Sequence, residues 1–255
     1  MDDADAVRFT LLGGETVDED RLYDLYAYPE RARPLVRANA IASLDGAATT
    51  AAGTSGGLGG PGDRRLFAVQ RELADVVVVG MGTVRAENYG GVRLNAAQRQ
   101  RRRMRGQDEV PPIALVTRTG TVERDLPVLT DNETPPLVLT SAEAAPAARN
   151  RLGAAAVVLD CSRSDPHQVD LTVAIERLAE RGLTKVLTEG GPTLLGAFMD
   201  RDLLDELCLT CAPVVVGGAA VRIATGGVDN FARMRPAHAI TDGGGYLYLR
   251  YARAR

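Results

Sequence analysis

The chain has 255 residues, 45% of them apolar and 25% charged, which is the balance of an ordinary globular protein long enough to bury a sizeable core. A formal net charge of −3 excludes the basic footprint of a general nucleic-acid or membrane-surface binder. Three cysteines make no disulfide framework, no apolar run is long enough for a membrane span, and the acidic opening MDDADAVRFT lacks the layout of a signal peptide, so the expected compartment is the cytoplasm.

Short Val/Ile/Leu-rich runs recur with helical stretches between them. A strand is expected over 37–42, followed by a glycine-rich loop and a helix over Pro61–Leu73, opened by a proline suited to a first turn. Further strands are expected over 75–80, 113–117, 137–140, 156–160 and 185–188. The run Val76, Val77, Val78, Val79 is apolar at every position, as in a strand covered on both faces, and predicts a mainly parallel central sheet. Between the last two of these strands, Leu171, Ala174, Ile175, Leu178 and Ala179 share one helical face, and Gly182 suits a C-terminal cap. The stretches 206–216 and 245–251 read as antiparallel edge strands, with loop-like sequence between them. The expected fold class is α/β, a mainly parallel central sheet flanked by helices with antiparallel C-terminal strands. Residues 1–255 are expected to form a single domain, with 1–35 as a possible appendage.

Three glycine-rich turns stand where strands give way to helices. The first, Gly53 to Gly62, has no Gly-Lys-Ser/Thr ending and so is not a P-loop; it reads as a close backbone approach to a ligand or as a flexible loop. In the second, a buried strand runs into Gly80, Met81, Gly82 and Thr83. Its backbone N–H groups suit an anion, although Arg85 replaces the third glycine of a dinucleotide fingerprint and a plain tight turn is the alternative. In the third, the strand ends at Glu189, and Gly190, Gly191, Pro192, Thr193 and Leu194 open a helix whose unpaired N–H groups would cradle a phosphate. Two such turns on neighbouring strands point to a cofactor carrying phosphates. Arg118, after the 113–117 strand, suits a ribose 2′-phosphate and hence NADPH, or is a solvated loop arginine. Asp45 faces the same sheet edge, either to orient a substrate or relay a proton, or as a surface turn.

Cys208 and Cys211 have C-x-x-C spacing, but three residues apart on a strand they point to opposite faces, and His167 and His238 are the only histidines; no metal is expected. The basic run from Arg99 to Arg105 is expected to be a solvated face, with attraction of an anionic cofactor as the alternative.

Ala42-Ser-Leu-Asp-Gly46, Thr54-Ser55, Arg71-Glu-Leu-Ala-Asp75, Val79-Gly-Met-Gly-Thr83-Val-Arg85, Thr188-Glu-Gly-Gly-Pro-Thr-Leu194 and Ala212-Pro-Val-Val-Val-Gly-Gly218 occur in that order, and the series from about residue 37 to 251 resembles the RibD C-terminal reductase family. The resemblance implies a dihydrofolate-reductase-like fold, a homodimer, NADPH, and reduction of the ribose of 5-amino-6-(5-phosphoribosylamino)uracil to a ribityl chain. It places Ile41, Gly57, Thr83, Glu87, Thr117 and the 191–197 turn at positions used for NADP, with the nicotinamide against the Ile41–Ala42 strand end. It places Ser55, Arg71, Arg93 and Glu189 at substrate positions, with Asp45 or Glu189 as proton donor or cation stabiliser. The family's acidic-Asp-Pro stretch is here Ala86-Glu-Asn-Tyr-Gly-Gly91, a departure that bears on Arg93 and on substrate identity, and the zinc signature of a deaminase half is absent. The competing readings are a dihydropterin-type reductase and a non-catalytic NADPH-binding protein.

Overall fold

A computed structural model describes residues 7–50, 53–226 and 231–254. In chain order the elements are β1 (Phe9–Leu11), β2 (Thr16–Val17), α1 (Glu19–Tyr26), β3 (Leu35–Ser43), α2 (Pro61–Leu73), β4 (Val76–Gly80), α3 (Met81–Ala86), α4 (Ala96–Met104), β5 (Ile113–Val116), α5 (Pro127–Thr130) and β6 (Leu137–Thr140). They continue as α6 (Ala145–Leu152), β7 (Val157–Asp160), α7 (Leu171–Ala179), β8 (Lys185–Gly190), α8 (Pro192–Asp200), β9 (Glu206–Ala212), β10 (Met234–Asp242) and β11 (Leu247–Arg253). Among the described residues all eleven strands join one sheet, in the order β2-β1-β10-β11-β9-β3-β8-β4-β5-β6-β7. From β9 to β7 every pairing is parallel, and from β9 to β2 every pairing is antiparallel.

The parallel half follows from the apolar runs. Val76, Val77, Val78 and Val79 are buried on both faces: Val77 and Val79 pack with α3, α6 and the Val92–Leu94 segment, whereas Val76 and Val78 pack with α7 and α8. This is an α/β architecture of the expected class.

Three sequence expectations change. β9 and β11 are antiparallel partners, but they lie inside the sheet; the edges are β2 and β7. The strand between them in sequence is β10, from a stretch that reads as loop because only Ile240 is buried along it and no apolar alternation marks it. The region before residue 35 is not a separate appendage where it is described: β1 pairs with β10, and Leu22 and Tyr26 of α1 pack against Leu66, Val69 and Leu73 of α2.

The basic run is a solvated face only in part: Gln100, Arg103 and Met104 are exposed, whereas other members of the run are not free in solvent. Arg102 is fully buried and donates to the carbonyls of Glu72 and Ala74, at 2.7 and 2.5 Å, where α2 ends and its last carbonyls have no helical partner. Arg101 and Arg105 both pair with the buried Glu72 carboxylate at 2.8 Å, and the Tyr23 hydroxyl donates to it as well. The arginines therefore fasten α4 to the C-terminal end of α2, and thereby fix the helix that forms one wall of the site described next.

Candidate active site

β3, β8 and β4 are adjacent and parallel, and the chain leaves β3 for strands on one side of it and returns to β9 on the other. Crevices at such a reversal of strand order, at the carboxyl ends of the strands, are where open α/β sheets take ligands. A cavity of about 1040 Å³ opens there, the size expected for an extended organic ligand or a pair of ligands.

The end of β8 is irregular in a way that builds the site. The β4–β8 register runs Val78 to Thr188 and then Val79 to Gly190, so Glu189 is an extra, bulged residue. In a regular strand Thr188 and Glu189 would face opposite sides of the sheet; with the bulge, both line the cavity. Gly190 and Gly191 follow with φ of +92° and +30°, conformations that side chains resist. Gly191 also packs so closely on α3 that a methyl there would lie 2.4 Å from the Thr83 hydroxyl oxygen. Pro192 then opens α8 with no side-chain cap, leaving the first-turn N–H groups of Thr193 and Leu194 without intrahelical partners. Across from this turn a methyl at Gly82 would meet open space. An uncapped helix start between two bare glycine turns accommodates an anionic group such as a diphosphate.

On the other side of Glu189, Arg71 of α2 grips the carboxylate in a two-pronged pair of 2.7 and 2.6 Å, and the Tyr89 hydroxyl donates to the same carboxylate at 2.9 Å. The Glu189 side chain is 1% exposed and that of Arg71 17%. Burial works against the Arg71 charge, but the carboxylate beside it holds the guanidinium above its ordinary value. Burial, and then the same carboxylate, push the Tyr89 phenol well up, so it remains a donor. Asp63, Phe67 and Arg71 recur at helical spacing on the cavity face of α2, and the Arg71 guanidinium lies 4.1 Å from the Phe67 ring centre. Glu87, at the end of α3, accepts from the backbone N–H and hydroxyl of Ser55 at 2.8 and 2.9 Å, which clips the glycine-rich loop to the cavity rim.

The cavity thus brings together Ile41, Ser55, Arg71, Gly80, Gly82, Thr83, Glu87 and the whole 189–194 turn. Other candidates lie outside it. Asp45 is exposed on the turn after β3, where its carboxylate accepts from the Ser43 hydroxyl and from the N–H groups of Val216 and Gly217; these bonds hold its pKa down at about 2 and clamp the turn to the 213–217 segment, outside the cavity. Arg93 is 56% exposed and pairs with Asp131 and Glu133. Met81 and Ala42 point into the core, Thr117 is buried beside β6, and Arg118 is exposed beyond β5. Gly57 packs on Thr50, and Gly60 and Gly62 make room for the rings of Tyr246 and Tyr248, so part of the glycine cluster serves packing. Sequence reading missed Tyr89, Asn39, Thr188 and the Asp63–Phe67 helical face; the spacing of 63, 67 and 71 was the available signal for the last.

The sequence profile of the RibD C-terminal domain matches residues 34–248. The chain belongs to that family. Among its relatives, the family member 2,5-diamino-6-ribosylamino-4(3H)-pyrimidinone 5′-phosphate reductase of Methanothermobacter thermautotrophicus is 32% identical over 195 residues, 74% of this chain and 82% of that protein. The riboflavin biosynthesis protein RibD of Bacillus amyloliquefaciens is 30% identical over 72% of this chain, which spans 47% of that longer protein. The crystal structure of a pyrimidine reductase-like protein from Corynebacterium diphtheriae superposes with a TM-score of 0.76 at 26% identity, covering 87% of this chain and 92% of the other. The dihydrofolate-reductase-like fold expected for the family is the fold found.

Proposed function

We propose that this chain is an NADPH-dependent reductase of a ribosylaminopyrimidine 5′-phosphate, either 5-amino-6-(5-phosphoribosylamino)uracil or its 2,5-diamino counterpart, acting in riboflavin biosynthesis in the cytoplasm. The observation that carries the reading is the direct junction, within residues 189–194, of a paired carboxylate and an uncapped glycine-rich helix start in one cavity.

In this reading Gly190 to Leu194, with Gly82 and Thr83 opposite, would hold the cofactor diphosphate, and Ile41 would meet the nicotinamide; all of them line the cavity. Arg118 is assigned to the ribose 2′-phosphate, which would favour NADPH over NADH. When bound, the cofactor supplies the hydride that reduces the sugar C1′ of the open-chain imine; the electron pair of the C=N bond goes to nitrogen, which takes up a proton. The chain's own part is alignment and charge placement. Arg71 uses two of its five donors on Glu189 and also bonds Tyr89, so at least two remain for a substrate phosphate or hydroxyl. Glu189 accepts from a substrate N–H or O–H and would stabilise the positive charge of the imine when its nitrogen takes up the proton ahead of the hydride. With Asp45 outside the cavity, the proton comes from the substrate phosphate or from solvent.

A second copy of the chain is the partner we assign to the open sheet face. β9 is inverted: its buried face carries Glu206, Cys208 and Thr210, whereas Leu207, Leu209 and Cys211 are half-exposed, in register with half-exposed Leu247, Leu249 and Tyr251 of β11.

The test is the loss of NADPH absorbance on adding each pyrimidine, with dihydrofolate and NADH as comparators. Turnover with a pyrimidine and NADPH is the expected result; turnover with dihydrofolate alone, or none with any substrate at high enzyme concentration, would overturn the assignment.

A further inference from the structure

The stretch from Ala86 to Gly91 forms a tightly specified turn after α3. The Tyr89 N–H donates to the Val84 carbonyl at 3.1 Å and the Glu87 N–H to that of Thr83 at 2.9 Å, while Asn88 takes a φ of +52°. This is the hydrogen-bonded helix end that usually needs glycine at the left-handed position, and asparagine is the side chain best able to replace it. The residues on either side of Asn88 both reach the cavity: Glu87 receives Ser55, and Tyr89 reaches across to Glu189. The Arg71 guanidinium lies 5.5 Å from the Tyr89 ring centre, so the phenol touches both members of the Arg71–Glu189 pair.

We propose that Tyr89 is a positioning residue for substrate recognition, acting through Glu189. This rests on the reading of the cavity as a reductase site in which Glu189 meets the substrate. A carboxylate offers about four lone-pair directions. Arg71 fills two and Tyr89 a third, on Oε2, so Glu189 presents one remaining acceptor direction to a ligand N–H or O–H. Arg71 alone would leave the carboxylate free to slide in the plane of the guanidinium fork; a third donor approaching from the α3 side removes that freedom. The placement of the pyrimidine or ribose donor against the hydride-accepting carbon is then set by a side chain of this turn.

The experiment is a double-mutant cycle of Tyr89→Phe and Glu189→Gln, read by calorimetric binding of the pyrimidine phosphate, NADPH binding by fluorescence, steady-state kinetics and the unfolding midpoint. Phenylalanine keeps the ring and removes only the hydroxyl. The expected result is that Tyr89→Phe weakens pyrimidine binding, and raises its KM, by roughly tenfold. NADPH affinity and the unfolding midpoint stay at wild-type values, and the same change adds less than about twofold on the Glu189→Gln background. Wild-type pyrimidine binding and kinetics in Tyr89→Phe would overturn the proposal, as would an effect of equal size in both backgrounds or a parallel loss of NADPH binding and stability. If the wild-type protein itself neither binds nor reduces the pyrimidine, the functional reading fails and this proposal falls with it; wild-type turnover beside an indifferent Tyr89→Phe removes the proposal alone.

Discussion

Gly196 lies in the middle of α8, where glycine costs a helix about 1 kcal/mol relative to alanine. The reason for it is the segment 213–226, which crosses α8 and contributes Val221, Ile223 and Thr225 to the cavity wall. A methyl at Gly196 would lie 2.0 Å from the Thr225 carbonyl oxygen and 2.6 Å from its carbon, so backbone rather than a pliable side chain would have to retreat by an ångström or so. That retreat would break the 3.0 Å bond from the Thr225 N–H to the Pro192 carbonyl, at the first turn of the cofactor cradle. In Gly196→Ala the propensity gain of about 1 kcal/mol and the lost hydrogen bond of about 1 kcal/mol nearly cancel. The unfolding midpoint should therefore move by less than about 4 °C. Binding should not be spared, because withdrawal of Ile223 and Thr225 opens one wall of the site; losing about half the burial of one apolar side chain corresponds to roughly a tenfold rise in the Kd for NADPH. Scanning fluorimetry with and without NADPH, beside a fluorescence titration, measures both quantities. An unchanged Kd would refute the argument that this strap completes the cradle, and a large loss of stability would refute the cancellation.

Gly191→Asp introduces a side chain at a φ of +30°, against the Thr83 hydroxyl, and a negative charge at the proposed diphosphate seat; NADPH binding should weaken by more than about tenfold in the same titration. Glu72→Ala leaves Arg101, Arg105 and Tyr23 without their shared buried acceptor, and should cost about 3 kcal/mol, seen as a midpoint lower by roughly 6–12 °C. Asp45→Asn should leave turnover near wild type, since the carboxylate faces the 213–217 segment and not the cavity. Because the folded pKa of Asp45 is depressed to about 2, its contribution to stability is present above the ordinary carboxylate range and disappears as pH falls towards 2; the difference between wild type and Asp45→Asn in urea unfolding should be constant near neutrality and shrink on acidification.

What the sequence made legible is the part governed by periodicity and by turn chemistry. The parallel strands announce themselves because burial on both faces demands apolar residues at every position, as in Val76 to Val79. The bounds of α2 and α7 fall where expected because Pro61 opens one, and an apolar stripe defines the other. β10 was illegible because its burial is confined to Ile240, so its place is set by pairing with β1 and β11 and not by its own side chains. The Arg99–Arg105 run was misread in part, for the opposite reason: charge suggests water, but a helix end with unsatisfied carbonyls and a buried Glu72 are equally good hosts for guanidinium groups.

The candidate site divides along the same line. The 189–194 turn and Arg71 were legible, since glycine, proline and paired charges at a strand end each carry a local meaning. Tyr89 was not, because its role depends on two backbone irregularities that no side-chain pattern encodes: the bulge that turns Glu189 inward, and the left-handed Asn88 that turns Tyr89 towards it. Asp45 differs in the reverse direction, since the structure places it outside the cavity. Its place at the carboxyl end of β3 was read correctly, but its turn delivers the carboxylate to the N–H groups of Val216 and Gly217, on a segment 171 residues further along the chain. A strand-end carboxylate is therefore a good indicator of the functional edge and a poor indicator of function until its acceptor capacity has been assigned. Each carboxylate receives three donors, but that of Asp45 is held outside the cavity by Ser43, Val216 and Gly217, whereas Glu189 lines the cavity with one direction left open, and that placement is what separates a clamp from a proposed recognition group.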